Sequence, residues 1–364
     1  MRPRPGTEHM TGAVVVLRAL GLGDFLTGVP AYRALRRAFP GRPMYLAAPA
    51  ALAGLVPLTG TFDGLLATGE LHAVGWRGPP PAVGVDLHGN GPASRKIVAE
   101  LTPGRLIAFG DPGSGRADGP QWRPGEHEVA RWCRLCAESG IPADPADLRL
   151  PVPAAARQWA DRAVVLHPGA AAAGRRWPAE RFAAVATALS RGGHRIVITG
   201  SAAESALAQQ VASLAADAAG IAAVPGITVA AGHSTVLQLA RLVAAARLVI
   251  AGDTGVSHLA TAFGRPSVTL FGPVPPAEWG PPPAHRHQVL WAGGPGYRGD
   301  PHGSRLDPAL AAITVGEVLA AAARALGDRA ATRSGPAAPG PAARSGPAAP
   351  AGAGSRAAAG AGHA

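Results

Sequence analysis

The chain has 364 residues, too many for one small core and enough for two α/β domains with a segment to spare. Its hydrophobic content of 47 % allows a sizeable interior, while a formal charge of +11 would ordinarily point to nucleic acid. Lys96 is the only lysine among 34 basic residues, aromatics make up 5 %, and no basic block is interleaved with them, so the charge reads as a coding bias toward Arg and no nucleic-acid partner is expected.

The N-terminal stretch Met1 to His9 is basic and rich in Pro, but the apolar run that follows, Ala13 to Leu17, ends at Arg18 without a cleavage pattern. No run reaches the length of a membrane span. A cytoplasmic location is expected, and the basic balance is compatible with peripheral contact at the anionic inner face of a membrane. Gly12 to Leu17 reads as a buried strand through its Val run, and Gly21-Leu22-Gly23-Asp24 as a turn into a helix reaching Phe39. The dinucleotide fingerprint requires Gly at position 26, where Leu26 stands, and no Walker A sequence occurs, so neither a nicotinamide nor a P-loop nucleotide site is expected. Further strands are expected at 44–47, 62–66, 83–87 and 106–109, with a helix over 94–101. The segment 126–139 reads as a helix that carries Cys133 and Cys136 on its apolar face; a lone C-x-x-C lacks the four ligands of a structural zinc site.

Around residues 141–153 the composition shifts to Pro, Ala and Asp, as in a linker. A second series follows, with strands at 163–166, 195–199, 226–229, 248–250 and 267–270 and helices at 179–190, 203–215, 235–245, 256–263 and 315–326. The expected fold is therefore α/β: two Rossmann-like parallel-sheet domains, 1–150 and 151–327, facing a central cleft. From 328 to 364 the sequence is Ala, Gly, Pro, Ser and Arg, with Arg-Ser-Gly-Pro-Ala-Ala-Pro starting at both Arg333 and Arg344. It has no large apolar residue to bury, and a disordered tail is expected.

Four segments would converge on such a cleft. Ala251-Gly252-Asp253-Thr254-Gly255-Val256-Ser257-His258 follows an apolar run and opens a small-residue helix, an arrangement that aims backbone N–H groups and a positive helix end at one small volume suited to phosphate. A capped βα turn explains the same residues without a ligand. His167-Pro168-Gly169-Ala170, followed by Arg175-Arg176-Trp177-Pro178, puts two cations near another helix start. Glu204, after Thr199-Gly200-Ser201, is explained by helix capping or by a bond to a ribose diol. Asp24 suits either an N-cap or a general base kept ionised by the helix dipole. No Asp-x-Asp cage appears, and Arg with helix N-termini can take the charge that a metal ion would otherwise take, so no metal and no cofactor are expected.

The order of these motifs, with Gly264-Arg265-Pro266 and Phe271-Gly272-Pro273 after them, resembles the ADP-heptose:lipopolysaccharide heptosyltransferase family, glycosyltransferase family 9, over residues 13–326. The resemblance implies the GT-B architecture, an N-terminal acceptor domain and a C-terminal donor domain. It also implies inverting, metal-independent transfer of a heptose-like sugar from a nucleotide diphosphate donor, ADP-linked in the family, to a hydroxyl of a cell-envelope glycan or glycolipid. Asp24 then takes the place of the base. His167, Gly169, Arg175, Arg176, Glu204, Asp253, Thr254, Gly255, Val256, Ser257 and His258 take donor-site places, with Arg175 where the family often has a phosphate-binding Lys. A nucleotide-sugar 2-epimerase and a non-catalytic nucleotide-sugar-binding protein are the alternative readings.

Overall fold

A computed structural model describes residues 12–110, 119–154, 156, 162–220 and 224–327; the tail expected from residue 328 lies outside the described residues. Short Val, Ile and Leu runs build two parallel sheets, and the central strands are buried along their whole length, as helices on both faces require. The first sheet comprises β1 (Val14–Leu17), β2 (Met44–Ala48), β3 (Gly64–Ala67), β4 (Val83–Asp86) and β5 (Arg105–Ile107), in the order β3-β2-β1-β4-β5. Val14 stands opposite Met44 on one side and Val83 on the other. The second comprises β6 (Val164–His167), β7 (Ile196–Ile198), β8 (Ile227–Val229), β9 (Leu248–Gly252), β10 (Ser267–Leu270) and β11 (His287–Leu290), in the order β11-β10-β9-β6-β7-β8. Both are doubly wound, and strand order reverses between β1 and β4 and between β6 and β9.

The helices of the first lobe are α1 (Leu22–Thr27), α2 (Val29–Ala38), α3 (Pro92–Ala99) and α4 (Glu128–Glu138). Those of the second are α5 (Ala179–Arg191), α6 (Ser205–Ala219), α7 (Val236–Ala245), α8 (Gly255–Phe263), α9 (Pro276–Trp279), α10 (Pro308–Ala312) and α11 (Val315–Leu326). The single helix expected from Gly21 to Phe39 is divided at Gly28. Pro30, near the start of α2, has no N–H to continue the ladder, and a Cβ on Gly28 would meet the Tyr32 hydroxyl at 2.4 Å. Leu22, Gly23 and Asp24, expected in a turn, already belong to α1. Strand β11 and helix α9 carry no apolar run to signal them: β11 is a half-buried edge strand, and α9 is a single turn started by Pro276. Cys133 and Cys136 lie buried on α4, where burial pushes both thiols up to about 12.

One apolar cluster joins the lobes. It runs from Phe25, Leu35 and Trp132 to Val249, Val256 and Phe263, whereas a second cluster of Trp177, Phe182, Ile198 and Val318 lies within the second lobe. At the seam α1 lies against α8, where a Cβ on Gly255 would approach Leu22 Cβ to 2.7 Å and one on Gly23 would approach His258 Cδ2 to 3.1 Å. Gly255→Ala is therefore expected to lower unfolding free energy by about 1–3 kcal/mol, as overpacking does. A melting temperature equal to that of the unsubstituted chain would show that the seam opens without cost.

Candidate functional site

The carboxyl ends of β1, β6, β7 and β9 open onto one cleft of ≈ 530 Å³ between the lobes. Its walls include Asp24, His167, Arg175, Glu204, Asp253, Thr254, Gly255 and His258, so eight of the residues singled out in the sequence meet there. Asp24 is the third residue of α1 rather than its cap; Gly21 is the N-cap and supplies no side chain. The Asp24 side chain is 28 % exposed, and its Oδ1 lies 3.7 Å from the fully buried Arg18 guanidinium. Burial raises the Asp24 carboxyl above its ordinary value, with Glu128 adding to the rise and Arg18 and His258 opposing it.

Across the cleft, the turn after β9 places Asp253 and Thr254 just before α8. The Ser257 hydroxyl donates to Thr254 O at 2.7 Å, and Val256 is buried in the core, so these two residues build the turn instead of lining the cleft. Asp253 ties the turn to its neighbours. Arg175 donates to its backbone carbonyl and to Oδ2 at 3.2 Å, and His258 Nε2 lies 3.6 Å from Oδ1. The His258 ring also meets Trp279 edge-on, with centroids 5.9 Å apart.

Arg175 and Arg176 diverge. Arg175 closes a 3₁₀ turn and faces the cleft, while Arg176 is exposed and donates from Nε to Ala170 O at 2.9 Å. Gly174 fixes that turn: its N–H donates to Gly303 O at 2.8 Å, and a Cβ there would press on the carbonyls of Gly303 and Arg305 at 3.0 Å. Gly169 does not line the cleft but makes room for a residue that does, since a Cβ on it would sit 2.2 Å from Glu204 Oε1. Glu204 Oε2 accepts from Ser201 N–H at 2.8 Å in a capping box. His167 is buried with Nδ1 3.0 Å from Thr199 Oγ1, and burial lowers its pKa despite the Glu204 charge.

Three residues of the cleft carried no signal in the sequence. Arg298 and His302 come from the loop after β11, and Glu278 from α9; Arg298 pairs with Glu278 at the rim. Only the folded loop brings an isolated Arg near the motifs. Among the described residues no three His, Cys, Asp or Glu side chains are grouped as a metal-ligand set, and no helix is long and apolar enough to cross a membrane.

Residues 120–297 match glycosyltransferase family 9 (heptosyltransferase). That match takes in just under half of the chain and likens it to the family. Lipopolysaccharide heptosyltransferase 2 of Salmonella typhimurium is 31 % identical over 121 residues, a match that spans 32 % of this chain and 32 % of that relative. Two solved structures share the fold of this chain. Escherichia coli ADP-heptose lps heptosyltransferase II superposes with a TM-score of 0.67 at 20 % identity, covering 86 % of this chain and 98 % of that one. E. coli heptosyltransferase WaaC with ADP-2-deoxy-2-fluoro heptose gives a TM-score of 0.61 at 18 % identity, covering 84 % and 98 %. The two-lobed GT-B architecture expected from the motifs is thus the architecture of the chain.

Behind the cleft, on the first lobe, Asp86 ends β4 and accepts from His88 N–H at 2.9 Å and from the Ser94 hydroxyl at 2.8 Å. Burial nevertheless pushes its carboxyl up to about 6 from 3.8. A raised carboxyl favours the fold when protonated, so its contribution is present below about pH 4 and is lost as pH rises through about 6. At about 1.4 kcal/mol per pKa unit, this group costs about 3 kcal/mol between pH 4 and 7. Denaturant titrations of Asp86→Asn across that range should show a correspondingly flatter pH dependence than the unsubstituted chain. Parallel curves would place the group outside the stability balance.

Proposed function

We propose that this chain is an inverting glycosyltransferase that moves a heptose-like sugar from a nucleoside diphosphate donor, ADP-linked by analogy with its relatives, to a hydroxyl of a cell-envelope glycan or glycolipid. The observation that carries the reading is the juxtaposition of Asp24, on the first turn of α1, with the Asp253-to-His258 turn and Arg175 across a single cleft. The match of residues 120–297 to the heptosyltransferase family supports it, as do relatives and neighbours whose names give lipopolysaccharide heptosyl transfer and ADP-heptose.

In this reading the first lobe, broadly residues 1–150, presents the acceptor, and the second, 151–327, holds the donor. Asp24 takes the proton of the acceptor hydroxyl as its oxygen attacks the anomeric carbon. The glycosidic bond forms on the face opposite the departing diphosphate, the bond from the anomeric carbon to the phosphate oxygen breaks, and configuration inverts. Once ionised, a carboxyl raised by burial is a stronger base than an exposed one. The leaving diphosphate gains charge as the bond breaks. The amino end of α8, with Arg175 beside it, is placed to meet that charge without a metal ion. Glu204 lies where it can accept from a ribose hydroxyl, and His258, braced by Asp253 and Trp279, faces the sugar position.

The reading rests on two substitutions and a ligand panel. Asp24→Asn should abolish transfer while leaving ADP affinity within about twofold, since the lost step is proton transfer and not donor binding; full activity in that variant would remove the base. Arg175→Ala should weaken ADP binding about ten- to a hundredfold, the worth of a charge-assisted hydrogen bond, while Arg176→Ala should leave it nearly unchanged. Equal effects by calorimetry would contradict the separation of the two guanidinia. Thermal-shift titration against ADP, UDP, GDP and their sugar conjugates, with and without EDTA, should give a selective, EDTA-insensitive rise with ADP-linked sugar.

A further inference from the structure

The buried charges behind Asp24 form a set that the transfer reaction does not explain. Arg18, the residue after β1, has no exposed side-chain surface. Its guanidinium donates to Leu87 O, to Asp24 O, to Thr27 Oγ1 at 3.0 Å and to Glu128 Oε1 at 3.0 Å. The same Nη2 lies 3.7 Å from Asp24 Oδ1, so two carboxylates compete for one nitrogen and Glu128 holds it. Glu128, the first residue of α4, is itself pinned. Trp132 Nε1 donates to its Oε1 at 2.7 Å, Arg131 pairs with its Oε2, and the Arg18 guanidinium lies 4.7 Å from the Trp132 ring centroid.

An arginine always carries its charge, and in a buried site it closes on the nearest free carboxylate. Without Glu128, that carboxylate is Asp24. The tight pair would occupy the oxygen that must take the acceptor proton and would make it a poorer base. We infer that Glu128 is a positioning residue for Asp24, acting through Arg18: it engages the guanidinium so that the first-turn carboxylate stays free toward the cleft. This inference rests on Asp24 being the base of the proposed transfer. Arg18 in turn fixes the start of α1 through the Asp24 carbonyl, so one guanidinium sets the backbone of the base while being kept from its side chain.

Other charges near Asp24 do not substitute for Glu128. His258 faces it from α8 with a favourable charge when protonated, and Tyr32, on α2, is buried with its hydroxyl pushed up by burial and stays neutral. Burial alone would raise the Glu128 carboxyl, but Arg18 and Arg131 hold it below the ordinary glutamate value, which favours the charged form that engages Arg18.

The test is a carboxyl ¹³C NMR titration of the full chain labelled at aspartate Cγ, with Asp24→Asn assigning the resonance. Glu128→Gln keeps the shape and removes the charge; the Asp24 midpoint should fall by about one unit as Arg18 turns to it. The acid limb of the transfer rate should move down with it, and kcat should fall about tenfold with donor KM unchanged. Because a lone buried Arg can prevent folding, Arg18→Met combined with Glu128→Met serves as the second variant. It removes both charges, and the Asp24 midpoint should rise above that of the unsubstituted chain. An unmoved midpoint in folded Glu128→Gln, or, where that variant does not fold, in the double variant, overturns the inference and leaves Glu128 as a packing residue of α4. Undiminished transfer by Asp24→Asn would instead overturn the assignment of the base, whatever the titration shows.

Discussion

The close approach of two helix starts, α1 and α8, is the constraint on which the rest of the cleft depends. Each begins just beyond a strand at or beside a reversal of strand order, and each carries at its amino end the partial positive charge of unpaired backbone N–H groups. They can lie against each other only because Gly23 and Gly255 present no side chain at the contact. A larger residue at either position would push apart Asp24 and the Asp253 turn, which face each other across the cleft. The glycines therefore set a distance, and the side chains around them supply the chemistry.

Charge in the cleft is arranged in pairs. Arg175 is engaged by Asp253, Arg298 by Glu278, and Arg18 by Glu128. Such pairing keeps flexible cations at fixed places and limits repulsion between them before any anion arrives. The three pairs differ in depth, and depth decides their use. Arg18 is sealed in and can only organise its surroundings, Arg175 is partly open, and Arg298, paired with Glu278, is 56 % exposed. The outer two guanidinia are open to the cleft, and the innermost is sealed off from it.

The strands other than β11 were legible because their Val, Ile and Leu runs need no tertiary knowledge to recognise, and the glycine-rich turns after them located the cleft. The place of Asp24 inside α1 was not legible, because Gly21 caps that helix without a side chain. Nor was the division of labour between Arg175 and Arg176, which depends on a 3₁₀ turn held by the carbonyls of a loop more than a hundred residues away. Arg298 and Glu128 were invisible for a related reason: a single charged residue in a loop or at a helix start looks like solvated surface until the fold shows what it faces. Ser257 and Val256 belong to the same motif but are buried and do not line the cleft, a difference within one turn that sequence adjacency does not reveal.

The apolar cluster that continues from Phe25 and Trp132 into Val249, Val256 and Phe263 bears on how such chains diversify. A two-lobed enzyme is often treated as two modules, one choosing the acceptor and the other the donor, joined at an exchangeable linker. Here the modules share an interior. A lobe borrowed from a relative would bring half of a core with it, and the halves would have to interlock side chain by side chain. Changes to such a chain are thus more accessible through its loops, on an intact seam, than through recombination at residues 141–153.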